Sequence, residues 1–124
     1  MTVMEIANAL AAHCRAGTES EGLKTLFADN AVSVEAMPMP GTDSQVTEGL
    51  EGIRGKHAWW DNAMEMIESE VLGPYPHQPN KFALVFKGMA KVKETGEDFP
   101  MDEIAIYTVD GGKIVREEFF YSME

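Results

Sequence analysis

Along the first fifteen residues the apolar positions repeat at helical spacing. Val3, Ile6, Ala7, Leu10 and Cys14 fall on one stripe and predict a helix over residues 2–15, stopped at Gly17. Thr18 followed three residues later by Glu21 has the form of a capping box, which predicts a second short helix running to about Phe27 and packing Leu23, Leu26 and Phe27. "AVSVEAM" (31–37) alternates like a strand, "PMPGTDSQ" has the prolines and glycine of an irregular loop, and "QVTEG" suits a short edge strand. The longest helix is expected over residues 50–68, with Ile53, His57, Trp60, Met64 and Ile67 on its stripe. "GPYPHQPN" reads as a turn-rich break. Residues 81–93 then form a long strand with Phe82, Leu84, Phe86, Ala90 and Val92 on one face and Ala83, Val85, Met89 and three lysines on the other. A strand over 99–109, a tight "DGG" turn and a last strand, "GKIVREEFFY" (112–121), complete the chain. This order of elements predicts an α+β fold, helices packed on one face of a curved, mostly antiparallel sheet.

The totals narrow the function. A chain of 124 residues, 44% of them hydrophobic, suits one domain spanning 1–124 with a real core. Ten basic against 21 acidic residues leave a net charge of −11, which argues against nucleic acid and anionic membrane as partners. The single Cys14 excludes an internal disulfide and fits a reducing compartment. "MTVMEIANAL" lacks a basic n-region and a long apolar run, so neither signal peptide nor membrane span is read, and a cytoplasmic location is expected.

"LFADNAVSVEAM", "EGLEGIRGKH" and "DGGKIVREEFFY", in that order and spanning nearly the whole chain, resemble the superfamily named for nuclear transport factor two, and within it the SnoaL-like branch, alongside ketosteroid isomerase and polyketide cyclases. The resemblance implies a cystatin-like α+β barrel: a cone-shaped sheet wrapping one long and two shorter helices around a mostly apolar cavity, with homodimers formed through the outer sheet face. It also implies a facing. Val115, Glu117, Phe119 and Tyr121 would line the cavity from the last strand, Phe99, Met101, Glu103, Ala105 and Tyr107 from the one before, and Val34 and Ala36 from the first. Departures are equally informative. The position of the isomerases' general base is Ala36; their helix tyrosine falls near Ala11 or Ala12 and their second aspartate near Met101. The cyclases' acid/base aspartate matches Phe119. Neither relative's apparatus is present.

The last strand poses the chemical question, because both of its faces carry an acid. Glu117 among Val, Phe and Tyr would lose hydration, raising its pKa toward the range useful for proton transfer; the competing reading places it at the rim, paired with Arg116 or a lysine. Glu103 would share the cavity, or pair with a cation at its mouth. His57, on the apolar stripe, suits a base or hydrogen-bonding orienter, or equally a core histidine. Tyr121 could orient a substrate oxygen and pair with Glu117, while Glu35 is expected to face outward. Trp60, Phe119, Tyr107, Met101, Phe99, Val34 and Ala36 are candidate walls, with simple packing as the alternative. His13, His57 and His77 lack metal-ligand spacing, and no phosphate-binding glycine motif occurs, so neither metal nor cofactor is expected. The expected function is to hold a small apolar molecule and to move a proton beside a carbonyl without cofactor, as an isomerase, cyclase or dehydratase. The alternatives are a non-catalytic ligand-binding protein and an interaction module.

Overall fold

The computed structural model describes residues 1–39 and 41–122; Pro40, one of the loop prolines, and the last two residues of the expected 1–124 domain lie outside them. Helices α1 (Val3–Ala16) and α2 (Glu19–Leu26) precede strands β1 (Phe27–Val34) and β2 (Val46–Glu48). Helix α3 (Leu50–Ala63) follows, then β3 (Met64–His77), β4 (Lys81–Val92), β5 (Asp98–Asp110) and β6 (Lys113–Phe120). The strands form one sheet in the order β2-β1-β6-β5-β4-β3. Only β1 and β6 run parallel among these neighbours. The sheet is curved and unclosed, and the fold is α+β and cone-like.

The helices begin where local chemistry satisfies their free N–H groups. Thr2 caps α1: its Oγ1 accepts from the Glu5 N–H at 3.1 Å while Glu5 Oε1 accepts from the Thr2 N–H at 2.8 Å. The capping box expected at Thr18 does not form. The Thr18 hydroxyl instead meets His13 Nδ1 at 2.8 Å, because the tight turn at Gly17 folds it back on the end of α1. Ile6, Ala7, Leu10 and Ala11 of α1 pack with Leu23 and Leu26 of α2 against inward side chains of the sheet, including Phe82, Leu84, Ala105 and Tyr107. Arg15 ties α1 to β3 by donating to the carbonyls of Val71 at 2.9 Å and Gly73 at 3.1 Å.

Three expectations are corrected. Helix α3 stops at Ala63, so it is no longer than α1, each having 14 residues. Residues 64–77 form a strand that helical spacing had hidden. Met64 and Ile67 fit a helix stripe, but Met64 and Met66 also fit alternation, and pairing with β4 from Met64↔Val92 to His77↔Lys81 decides between them. Two of the three prolines of the expected break, Pro74 and Pro76, lie within this strand, tolerated because β3 is an edge and its outer side needs no donors. Finally, β1 begins at Phe27 and ends at Val34, four residues earlier at the start and three at the end than the 31–37 expected from alternation.

Bulges shape the sheet. In β6 the register slips between Thr108↔Arg116 and Val109↔Ile114, so Val115 is the extra residue. The slip changes the parity of the strand. Ile114, fully buried, and Glu117, 2% exposed, both lie against the core, while Arg116 and Phe120 are exposed. The bulge is why an acid enters the interior without displacing the isoleucine.

Candidate functional site

The inner face of the sheet carries an unusual transverse row. Phe82 pairs with Tyr107, Tyr107 with Glu117 and Glu117 with Ser33, in register across β4, β5, β6 and β1. All four are buried. Phe82 and Tyr107 stack with ring centroids 4.9 Å apart. Further along β5, Phe99, Met101 and Glu103 share the inward parity of Ala105 and Tyr107 yet stay partly exposed. The inner face is therefore closed at the Tyr107 end and more open toward Phe99, where Trp60 of α3 meets Phe99 edge-on at 5.8 Å.

Above this row α3 delivers a cation. Lys56, one turn on from the fully buried Ile53, extends its ammonium to Ser33 Oγ and to Glu35 Oε1, the latter at 2.7 Å. The two charged side chains are only 10% and 15% exposed. The ammonium also lies 5.0 Å from the centre of the Phe119 ring. Glu35 is held in place from both sides. Gln45 Nε2 donates to the carbonyls of Glu35 and Ala36, each at 3.0 Å, and Tyr121 donates its hydroxyl to Glu35 Oε2 at 3.0 Å.

Glu117 lies behind this pair. Its Oε1 is buried and has no hydrogen-bond partner among the described residues. Burial pushes its pKa up to about 6; the Lys56 charge and a hydrogen bond from Ser33 act against that rise, and the Glu35 charge adds to it. Glu103 is pushed up to about 7, chiefly by burial and then by Glu35, with Lys56 opposing and Glu117 contributing. Two carboxyl groups thus change protonation near neutral pH in an interior lined with aromatic rings, the range in which a carboxyl can both take and give a proton.

Of the expected site residues, Glu117, Glu103, Phe119 and Tyr121 surround this cluster, with Tyr107 beneath and Met101, Phe99 and Trp60 toward the open end. Two expectations about partners are corrected. Tyr121 bonds Glu35, not Glu117. The facing of the first strand is reversed: Ser33 and Glu35 reach inward and Val34 and Ala36 alternate away from them. The physical reason is the close approach of α3, which leaves room on that face of β1 for the small Ala31 and Ser33, both fully buried. Among the described residues, no hydrogen bond joins His57 to the cluster. It lines a cleft of about 140 Å³ between α2 and α3 with Glu19, Leu23, Arg54 and Asp61. Burial and the adjacent Lys56 lower its pKa, while Asp61 and Glu35 pull the other way. A second cleft, about 440 Å³, lies over Glu68, Ser69, Glu70, Lys87, Gly88 and Met89 of β3 and β4. Neither cleft is lined by Glu103 or Glu117. Among the described residues, no group of three or more His, Cys, Asp or Glu could hold a metal ion.

Lys56, Ser33 and Glu35 are the functional candidates that sequence reasoning missed. A signal for Lys56 existed: it follows Ile53 by three positions, on the same stripe as His57.

A family model described as a SnoaL-like domain matches residues 1–121. The chain belongs to the SnoaL-like family. A crystal structure from Mesorhizobium loti, described as a candidate SnoaL-like polyketide cyclase, is 38% identical, with 98% of this chain and 100% of that one covered and a TM-score of 0.89. A Catenulispora acidiphila protein with a ketosteroid isomerase-like fold, solved with trimethylamine, is 23% identical over 96% of this chain and 86% of its own, with a TM-score of 0.71. A Mycobacterium tuberculosis protein solved with estradiol-17β-hemisuccinate is 15% identical over 98% of this chain and 94% of its own, with a TM-score of 0.72. These last two share the fold with the SnoaL-like chain. No curated protein matches it. Among the described residues, no helix of this SnoaL-like protein is long and apolar enough to cross a membrane.

Proposed function

We propose that this SnoaL-like protein binds a small apolar molecule within the open end of its cone and transfers a proton beside a carbonyl group without a cofactor, as an isomerase, cyclase or dehydratase does. The observation that carries the reading is Glu117: a buried carboxyl with one oxygen unpartnered, set against a lysine and among aromatic rings. Glu117 moves the proton and Glu103, at the open end, is the second acid. Phe99, Met101, Trp60 and Phe119 form the apolar walls. General acid–base catalysis of this kind contributes about 10²–10⁴-fold in rate. Thermal-shift screening of ketones, enones and lactones tests binding through linkage. Conversion of the stabilising compounds is then followed in the native protein and in Glu117→Gln. Turnover lost in the variant with binding retained supports the reading; turnover unchanged refutes it.

Non-catalytic ligand binding is the second reading, favoured by the small molecules held by two proteins of the same fold. It expects stabilisation by ligands and no conversion of any of them. The protein acts, in either case, as a cytoplasmic homodimer joined through its outer sheet face. Ile104 and Phe120, directly paired across β5 and β6 and 45% and 47% exposed, support that face, and the lone Cys14 suits the compartment.

A further inference from the structure

Glu117 has a problem of access. Its Oε1 is shut away from solvent, so a carboxyl that gave up its proton there could not recover one from bulk water directly. The polar groups that act on it or feel its charge are Lys56 from α3, Ser33 and Glu35 from β1 and its continuation, Tyr107 and Glu103 from β5, and Cys14 from α1. Of these, Ser33, Lys56 and Glu35 form an unbroken series of hydrogen bonds leading outward. Ser33 is paired directly with Glu117 across β1 and β6, which sets its hydroxyl to donate to the Glu117 carboxyl while its Oγ accepts from the Lys56 ammonium. Lys56 donates to Glu35, and Glu35 accepts from Tyr121, which is partly exposed just past the end of β6.

We infer that Glu117–Ser33–Lys56–Glu35 is a proton-transfer chain, through which the buried carboxyl exchanges protons with water at the Tyr121 end. The hydrogen directions permit one balanced shift. When Glu117 is ionised, the Ser33 hydroxyl gives it a proton and takes one from Lys56 in the same movement. Glu35, ionised at the outset, takes a proton from solvent and passes it to the lysine, which is momentarily an amine. One proton has moved from solvent to Glu117, only O–H and N–H bonds have been broken and made, and the Lys56 charge is restored. The reverse shift empties the site. Lys56 and Ser33 are positioning residues here, acting through Glu117, and the inference rests on the reading of Glu117 as the proton carrier.

Replacing lysine by arginine separates transfer from charge. Lys56→Arg keeps a cation between Ser33 and Glu35, but a guanidinium does not release its proton in a protein. The carboxyl carbon of Glu117 is followed by ¹³C NMR in glutamate-labelled protein across pH 4–9, its signal identified by its loss in Glu117→Gln. The native protein is expected to show one averaged signal moving smoothly with pH. Lys56→Arg and Ser33→Ala are expected to show separate protonated and ionised signals that trade intensity, because exchange has become slow. An averaged signal in folded Lys56→Arg overturns the route through lysine, and one in Ser33→Ala overturns the chain; a native protein already in slow exchange overturns both. Melting curves check folding, and Ser33→Ala, which only removes an oxygen, keeps the test open where arginine does not fit. The readout needs no substrate. Intact exchange without turnover of any compound therefore counts against the proposed activity and leaves the chain standing.

Discussion

Breaking the Lys56–Glu35 pair measures how much of the fold depends on the site. The pair is 2.7 Å long, and its side chains are 10% and 15% exposed. At an effective dielectric constant of 20, two unit charges at that distance attract by about 6 kcal/mol, much of it offset by the cost of removing both from water. Lys56→Met deletes the cation and leaves, among the described residues, Tyr121 as donor to the Glu35 carboxyl and Ser33 beside that of Glu117. Unpairing a buried charge costs about 3–5 kcal/mol; because Glu35 keeps a sliver of solvent contact and one hydrogen bond, the lower end is expected, about 3 kcal/mol. For a chain of this length that lowers Tm by about 10 °C. Glu35→Gln should cost less, about 1–2 kcal/mol, since Glu117 remains as a counter-charge for the lysine. The double variant, with neither charge, should lie within about 1 kcal/mol of the native protein. Urea unfolding of the four proteins at pH 7 then yields the coupling energy, expected at about 3–6 kcal/mol. A coupling below about 0.5 kcal/mol, the size seen for exposed ion pairs, would refute the burial argument and with it the idea of a desolvated site.

Other consequences are checked more simply. Glu117 has its pKa raised from an ordinary 4.5 to about 6, so the folded protein favours its protonated form. The stability due to that proton is complete below the unfolded value and is lost as pH rises through about 6. Glu117→Gln should accordingly be more stable than the native protein by about 1–2 kcal/mol at pH 8 and indistinguishable from it at pH 4; parallel pH profiles in urea unfolding would contradict this. Glu103→Gln should show the same sign with its midpoint shifted toward pH 7. Gly88 faces the Glu68 carbonyl at the β3 bulge so closely that a Cβ would overlap the oxygen, and Gly88→Ala should destabilise by about 1–3 kcal/mol in thermal melts. Phe120→Asp should convert the expected dimer into a monomer in sedimentation velocity with its Tm nearly unchanged; an unchanged sedimentation coefficient would remove the outer face from consideration.

The site owes its properties to an arrangement in which no single element is sufficient. β6 supplies an acid, β1 a hydroxyl, the residue just past β1 a second acid, and α3 the cation that lets these groups be buried together. The Phe119 ring beside the ammonium excludes water on one side without competing for its hydrogens. This is also why the pKa values of Glu117 and Glu103 stop near neutrality instead of rising further: burial raises both, and the same lysine restrains both.

What the sequence determined by itself was local and periodic. The stripe of Ile6, Ala7 and Leu10 announced α1; alternation in 81–93 and 99–109 announced β4 and β5, whose odd positions from Phe99 to Tyr107 do face inward; and an acid in each of the last two strands, at positions that the family resemblance turns inward, marked Glu103 and Glu117 as neighbours worth weighing. These features are legible because a helix or a strand repeats its facing every few residues whatever its surroundings. What only the tertiary structure decided was everything that depends on a partner distant in the chain. Residues 64–67 fit either period, and it took β4 to make them a strand. The parity of β6 changes at a bulge that only its pairing with β5 reveals. Ser33 and Glu35 turn inward because α3 packs close to β1 and brings Lys56 to meet them, 23 and 21 residues away along the chain. A buried charge is stable only with its counter-charge beside it, and which residues become neighbours is settled by how the elements pack, not by the order in which they are written.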